Sequence, residues 1–151
     1  MKSKLGLVLI TTALFVLAGG NARVAYGAPP TDACSLLSPE QVSSVLGVKV
    51  EAGKALTAKA CTWPGGPGKK VGLNLIKPQA FAAAKTPVGK GIVKTDVSGI
   101  GDGAVYGANG ARTELTVKKG NAAFTLVVIG FSDAQNKAKE KTLALEVCSK
   151  L

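Results

Sequence analysis

The stretch Ala123-Phe124-Thr125-Leu126-Val127-Val128-Ile129-Gly130-Phe131 decides how the rest of the chain has to be arranged. Alternate side chains of a strand point to opposite faces, so Phe124, Leu126 and Val128 line one side and Val127, Ile129 and Phe131 the other. Both sets are apolar. A strand that is apolar on two faces belongs inside a sheet, partly covered on each side, because a half-solvated strand would alternate with polar residues.

Working outward, the turn Lys119-Gly120-Asn121 precedes this strand, and Glu114 to Lys118, with Leu115 and Val117 inward, is a second strand before the turn. A short strand from Ala104 to about Gly107 lies upstream, after a Gly-rich connection over residues 86–103 with room for one strand near Ile92 to Lys94. Downstream, Asp133 is expected to cap a helix that runs to about Ser149. In the first half, Ser38-Pro39-Glu40-Gln41 carries the signals of a helix start: Ser38 at the cap, Pro39 at the first helical position and Gln41 at the capping-box position. Leu37, Val42, Val45 and Leu46 form its apolar stripe, and Gly47 ends it.

Val48 and Val50 alternate with Lys49 and Glu51, which predicts a short strand, a turn near Gly53 and a second strand to about Trp63 with Cys61 and Trp63 on one face. After the turn Pro64-Gly65-Gly66-Pro67-Gly68, Val71, Leu73 and Leu75 face one way in a third strand. Pro78 to Lys85 is expected to be a short helix, stopped by Thr86-Pro87. The order helix, three strands, helix, three strands, helix predicts an α+β fold: an antiparallel sheet of about five or six strands with the N- and C-terminal helices packed mainly on one face.

The amino terminus fixes the expected compartment. Lys2 and Lys4 precede an apolar run from Leu5 to Ala18, followed by small residues at Ala25, Gly27 and Ala28, which is the pattern of a secretory signal peptide over residues 1–27 with cleavage after Gly27. The run falls short of the about 20 apolar residues a membrane span needs, so no span is expected after cleavage. Residues 28–151 then form a single domain, periplasmic or secreted. No cysteine directly follows the apolar run, which argues against a lipid anchor. The closing Ser149-Lys150-Leu151 matches a peroxisomal address, but an export signal at the other end overrides that reading.

Three cysteines in an exported chain predict one disulfide and one thiol left over. Sequence allows three pairings. Cys34 with Cys61 is favoured because it would tie the start of the first helix to a strand and close a loop worth about 3–4 kcal/mol in the chain-entropy model. Cys148, among Leu145, Val147 and Leu151, then behaves as a small buried hydrophobe, and a bridge from it to either partner is the alternative.

The run Ala33-Cys34-Ser35-Leu36-Leu37-Ser38-Pro39-Glu40-Gln41, then Gly47, Cys61-Thr62-Trp63 and Gly99-Ile100-Gly101-Asp102, resembles a diffuse family of small exported bacterial proteins, many of them cell-envelope lipoproteins of unknown function. The resemblance implies a two-cysteine bridge and an α+β fold. It carries over no catalytic residue, and this chain departs from the lipoprotein members by lacking the lipidation cysteine.

The leader holds Lys2, Lys4 and Arg23 of the 19 Lys+Arg and none of the nine Asp+Glu, which leaves 16 basic against nine acidic residues in the exported part, a net +7. All but Arg112 of those bases are Lys, a hydrated point charge that also serves as a plain solubiliser, whereas Arg is the residue for bidentate recognition of phosphate or carboxylate. Few aromatic stacking positions and almost no Arg make nucleic acid an improbable partner. Two lysine pairs, Lys69-Lys70 and Lys118-Lys119, flank turns. If those turns share one end of the sheet they form a positive patch beside Trp63, able to hold an acidic polymer or head group; otherwise they are solvated hairpin ends beside a core tryptophan.

The absence of His excludes Ser-His-Asp and Cys-His catalysis and any His-containing zinc site. The wide cysteine spacing is not that of a structural zinc site. Gly99-x-Gly101-x-x-Ala104 matches the dinucleotide fingerprint in letters only, because strand and turn rather than a helix follow it; a tight turn with Asp102 bonded to nearby backbone is the better reading. Gly68-Lys69-Lys70 lacks the first glycine of a phosphate loop, since Trp63 stands there. The nine acids show no paired arrangement for glycoside hydrolysis. These exclusions point away from an enzyme and toward a monomeric, cofactor-free binding or interaction domain of the cell envelope, holding an envelope component or protein of acidic character. The alternative is an inhibitor of an extracellular hydrolase, presenting the loop from Trp63 to Lys70 beside the disulfide.

Overall fold

The computed structural model describes residues 30–109 and 112–151; the expected signal peptide over residues 1–27 and the start of the exported part at residue 28 lie outside the described residues. Cys34–Leu36 forms a 3-10 turn that leads into α1 (Pro39–Leu46). The Ser38 side chain accepts from the Gln41 N–H while the Gln41 side chain accepts from the Ser38 N–H, so two otherwise orphaned donors are satisfied. Gly47 closes the helix with φ 69°, a left-handed conformation that costs glycine nothing.

Seven strands follow: β1 (Lys54–Thr57), β2 (Ala60–Pro64), β3 (Lys70–Ile76), β4 (Val93–Val97), β5 (Gly103–Asn109), β6 (Arg112–Lys119) and β7 (Ala122–Ile129). The helix α2 (Ala80–Ala84) separates β3 from β4, and α3 (Asp133–Cys148) ends the chain. They form one sheet in the order β1-β2-β3-β7-β6-β5-β4, with every neighbouring pair antiparallel. The α+β class stands as expected, and β7 is the middle strand, as its two apolar faces require. The sheet has seven strands rather than five or six.

The seventh is β4, in the connection where the sequence left room for a strand near Ile92 to Lys94, and the first strand lies elsewhere than expected. Residues 48–53 are not a strand, although Val48 and Val50 alternate with polar residues. Their polar groups are satisfied elsewhere: the Val50 N–H donates to the Ser43 hydroxyl and the Glu51 N–H to the Pro64 carbonyl. Val50 is buried and Val48 half-buried, with Gly65 packed against both and against Leu46. The first strand is instead Lys54–Thr57, all four residues exposed, and the turn falls at Ala58-Lys59 rather than near Gly53. Gly53 has another role. A Cβ there would sit 2.7 Å from Trp63 Nε1 and 2.8 Å from Cys61 Sγ, so the backbone passes directly over the tryptophan and the disulfide.

One face of the sheet carries Cys61 and Trp63 from β2, Val71, Leu73 and Leu75 from β3, Phe124, Leu126 and Val128 from β7, and Leu115 and Val117 from β6. These side chains share one buried cluster with Val42 and Leu46 of α1 and Leu143, Ala144 and Val147 of α3. The two helices also meet directly, where the Lys139 ammonium donates to the Val45 carbonyl at 2.6 Å. The cap of α3 is Ser132, in a second reciprocal capping box with Gln135, and Asp133 occupies the first helical position rather than the cap.

Candidate functional site

The opposite face of the sheet is divided. Over β5 and β6, Phe81 of α2 comes within 3.1 Å of where a Gly103 Cβ would be, and Val105 and Thr116 on that side are buried. Over β2, β3 and β7 the surface is open. The register places Thr62, Gly72 and Val127 in one row across the strands and Pro64, Lys70 and Ile129 in the next. All of these but Pro64, together with Leu56, Ala60, Asn74, Thr125, Glu114 and Arg112, line a trough of about 340 Å³, at the small end of the roughly 300–1,000 Å³ of ligand sites. Gly72 forms its floor, where a Cβ would meet nothing within 4 Å. Leu56, 71% exposed, stands at the rim.

At the end of the sheet where β3 begins and β7 finishes, a second cavity of about 510 Å³ is lined by Asn109, Arg112, Val128, Ile129, Gly130, Phe131 and Asn136. Arg112 and Ile129 line both hollows. The second exists because β6 and β7 part company: their pairing runs from Lys119–Ala122 to Leu115–Leu126 and stops there. Glu140 of α3 fills the gap, accepting from the Val128 N–H at 2.9 Å and the Thr113 hydroxyl at 3.1 Å. Its other carboxylate oxygen has no partner among the described residues, and the residue is 0% exposed. Burial pushes the Glu140 carboxyl up to about 7, more than the two donated hydrogen bonds pull it down, and the negative charges of Glu114 and Asp133 add to the rise. One turn earlier, Asn136, 3% exposed, donates to the Phe131 carbonyl, and its own carbonyl oxygen is unpartnered among the described residues. Burial, and then the charge of Glu140, push the Tyr106 hydroxyl up to about 12 while it donates to the Lys137 carbonyl.

The residues singled out from the sequence are distributed differently from the patch they were expected to form. Cys34 and Cys61 are bridged, and Cys148 is free and buried. Trp63 is 0% exposed and packs in the core beside that bridge, so no ligand can touch it. Lys70 pairs with Ile129 at one end of β7, whereas Lys118 and Lys119 pair with Ala123 and Ala122 at the other. Six strand steps of about 3.3 Å separate them by roughly 20 Å. The two lysine pairs therefore form no common patch. Lys69 stacks over the Phe131 ring at 5.0 Å from its centroid, with Lys139 at 4.7 Å.

The turn around Gly99 and Gly101 is as the sequence suggested: both glycines have positive φ, the Asp102 carboxylate accepts from the Gly120 N–H at 2.6 Å, and the Asp102 N–H donates to the Lys118 carbonyl. The loop after Trp63 is pinned by hydrogen bonds from Gly65 N–H to Lys69 carbonyl and from Lys69 N–H to Gly66 carbonyl. Among the described residues, no group of three or more Cys, Asp or Glu is placed to hold a metal ion, and no helix is long and apolar enough to cross a membrane.

Arg112, Glu114, Asn136 and Glu140 are among the polar residues of this region that the sequence did not single out. The signal available for Arg112 was its being the one arginine of residues 28–151. A glutamate inside a lysine-rich helix carries no such mark. Comparison of the chain with protein-family models, with curated proteins and with solved structures gives no match.

Proposed function

We propose that this chain is an exported, non-catalytic binding domain of the bacterial cell envelope and that its binding surface is the open half of the sheet. The observation that carries this reading is the contrast across β3 and β7: the side chains of one side are buried in the core cluster, and the other side is a trough floored by glycine and flanked by half-buried Val127 and Ile129. A sheet face with no ligand to meet gains solubility from charged residues. Here the centre of that face is small or apolar, and the charges Lys70, Arg112 and Glu114 stand at the end and side. The disulfide suits an oxidising compartment, and the resemblance to exported envelope proteins agrees with it.

The inhibitor reading has one observation in its favour, the rigid loop between β2 and β3. Its exposed tip is Gly66-Pro67-Gly68, which offers only the short Pro67 ring to a specificity pocket. The trough is therefore the stronger candidate.

The test uses Gly72→Phe, which fills the trough from a position with free space above it. Native mass spectrometry of wild type and variant, each recovered from its own host, is expected to show a bound mass on the wild type that the folded variant lacks. The same bound mass on both proteins, or none on either, would overturn the reading.

A further inference from the structure

Resting on that reading, we infer that the trough takes a single-chain alkyl carboxylate, with its carboxylate held between Lys70 and Arg112 and its chain laid over Gly72 beside Val127. The placement of charge carries the inference. Lys70 lies directly across from Ile129 in the strand register, and Arg112 shares both hollows with Ile129, so two cations flank one apolar side chain. Neither cation is in an ion pair among the described residues; the lysines that are so engaged are Lys54, Lys85 and Lys137. A guanidinium offers two parallel donors to a carboxylate, and a neighbouring ammonium adds a third.

Glu114 sets the size of the charge. It lines the same trough, so the two cations and one carboxylate leave a net of one positive charge. That balance suits a monoanion. A dianionic phosphate ester would bring a second negative charge against Glu114, and a neutral ligand would leave the positive charge unmatched. Away from Lys70 and Arg112, the lining turns to Ala60, Thr62, Gly72, Thr125 and Val127, without a single aromatic ring on which a sugar could stack. The narrow volume and the flat glycine floor fit one extended chain.

The probes are decanoate, 1-decanol and decyl phosphate, added below their aggregation limits to the exported protein with labelled methyl groups. Decanoate is expected to shift the Val127 and Ile129 methyl signals, with 1-decanol and decyl phosphate each bound about tenfold more weakly. Lys70→Gln and Arg112→Gln should each weaken decanoate about threefold, and Glu114→Gln should tighten it by a similar factor, in keeping with exposed ion pairs. Equal binding of decanoate and 1-decanol at those methyls would overturn the charge assignment and leave the trough as the binding surface. Tighter binding of decyl phosphate would overturn the monoanion preference. Failure of all three probes to move those methyls, while wild type keeps a host-derived mass that Gly72→Phe lacks, would overturn the ligand class alone; failure of both would overturn the trough as well.

Discussion

Two surfaces of the same strands meet opposite fates in this molecule. On β7, Phe124, Leu126 and Val128 are buried in the cluster they share with α3 and α1, while Thr125, Val127 and Ile129, one residue out of step, look into an open trough. The backbone is common to both, so the difference lies wholly in what covers each side. A strand that is apolar on two faces is thus under two separate demands, one from the core and one from whatever the open side meets. The contrast separates stability from recognition residue by residue.

The sharpest way to break it is to truncate across the divide. Phe124→Ala removes a fully buried ring and should cost about 3–5 kcal/mol in urea unfolding, whereas Val127→Ala, next but two along the same strand, should cost under about 1 kcal/mol. Similar costs at the two positions would mean that the open face is packed after all. Next in size is the bridge, formed by the Cys61 side chain on the sealed side. Replacing both Cys34 and Cys61 by Ala should cost about 2–5 kcal/mol, yet the folded fraction should bind decanoate as wild type does. Loss of binding without loss of folding would join two functions that the structure keeps apart.

The smallest expected effect sharpens the boundary itself. Glu140 plugs the gap between β6 and β7 at the edge of the trough region, and its carboxyl is raised from 4.5 to about 7 in the folded chain. A folded state that holds a proton more tightly than the unfolded one loses stability as pH rises, so between about 4.5 and 7 this group weakens the fold progressively. Glu140→Gln should remove that slope. The difference in unfolding free energy between variant and wild type should move in the variant's favour across the interval and level off above it. A difference independent of pH would show that folding leaves the Glu140 carboxyl at its ordinary affinity for the proton.

The local part of this architecture was legible in the sequence. Ser38 to Gln41 announced its capping box because every participant lies within four residues, and β7 announced its central place through its own composition. The Cys34–Cys61 bridge was the favoured one of the three pairings that the sequence allows. What stayed hidden depends on the order of strands. β3 and β6 both run antiparallel to β7, so the start of one and the end of the other fall at opposite ends of the sheet, and Lys69-Lys70 cannot meet Lys118-Lys119. No local pattern encodes that. β1 was displaced for a different reason: its four exposed residues show no alternation, while Val48 and Val50 alternate without pairing. Glu140 and Asn136 were invisible because charged and amide residues on a helix ordinarily face water.

Everything said of the trough depends on one face of β3 and β7 being open and the other sealed. An uncharged paramagnetic chelate added to the methyl-labelled protein tests this directly, since it broadens only signals it can approach. The Val127, Ile129 and Leu56 methyls should broaden strongly while those of Leu73, Leu126 and Val128 remain sharp. Equal broadening of Val127 and Val128, or protection of both, would contradict the division of the sheet on which the binding surface rests.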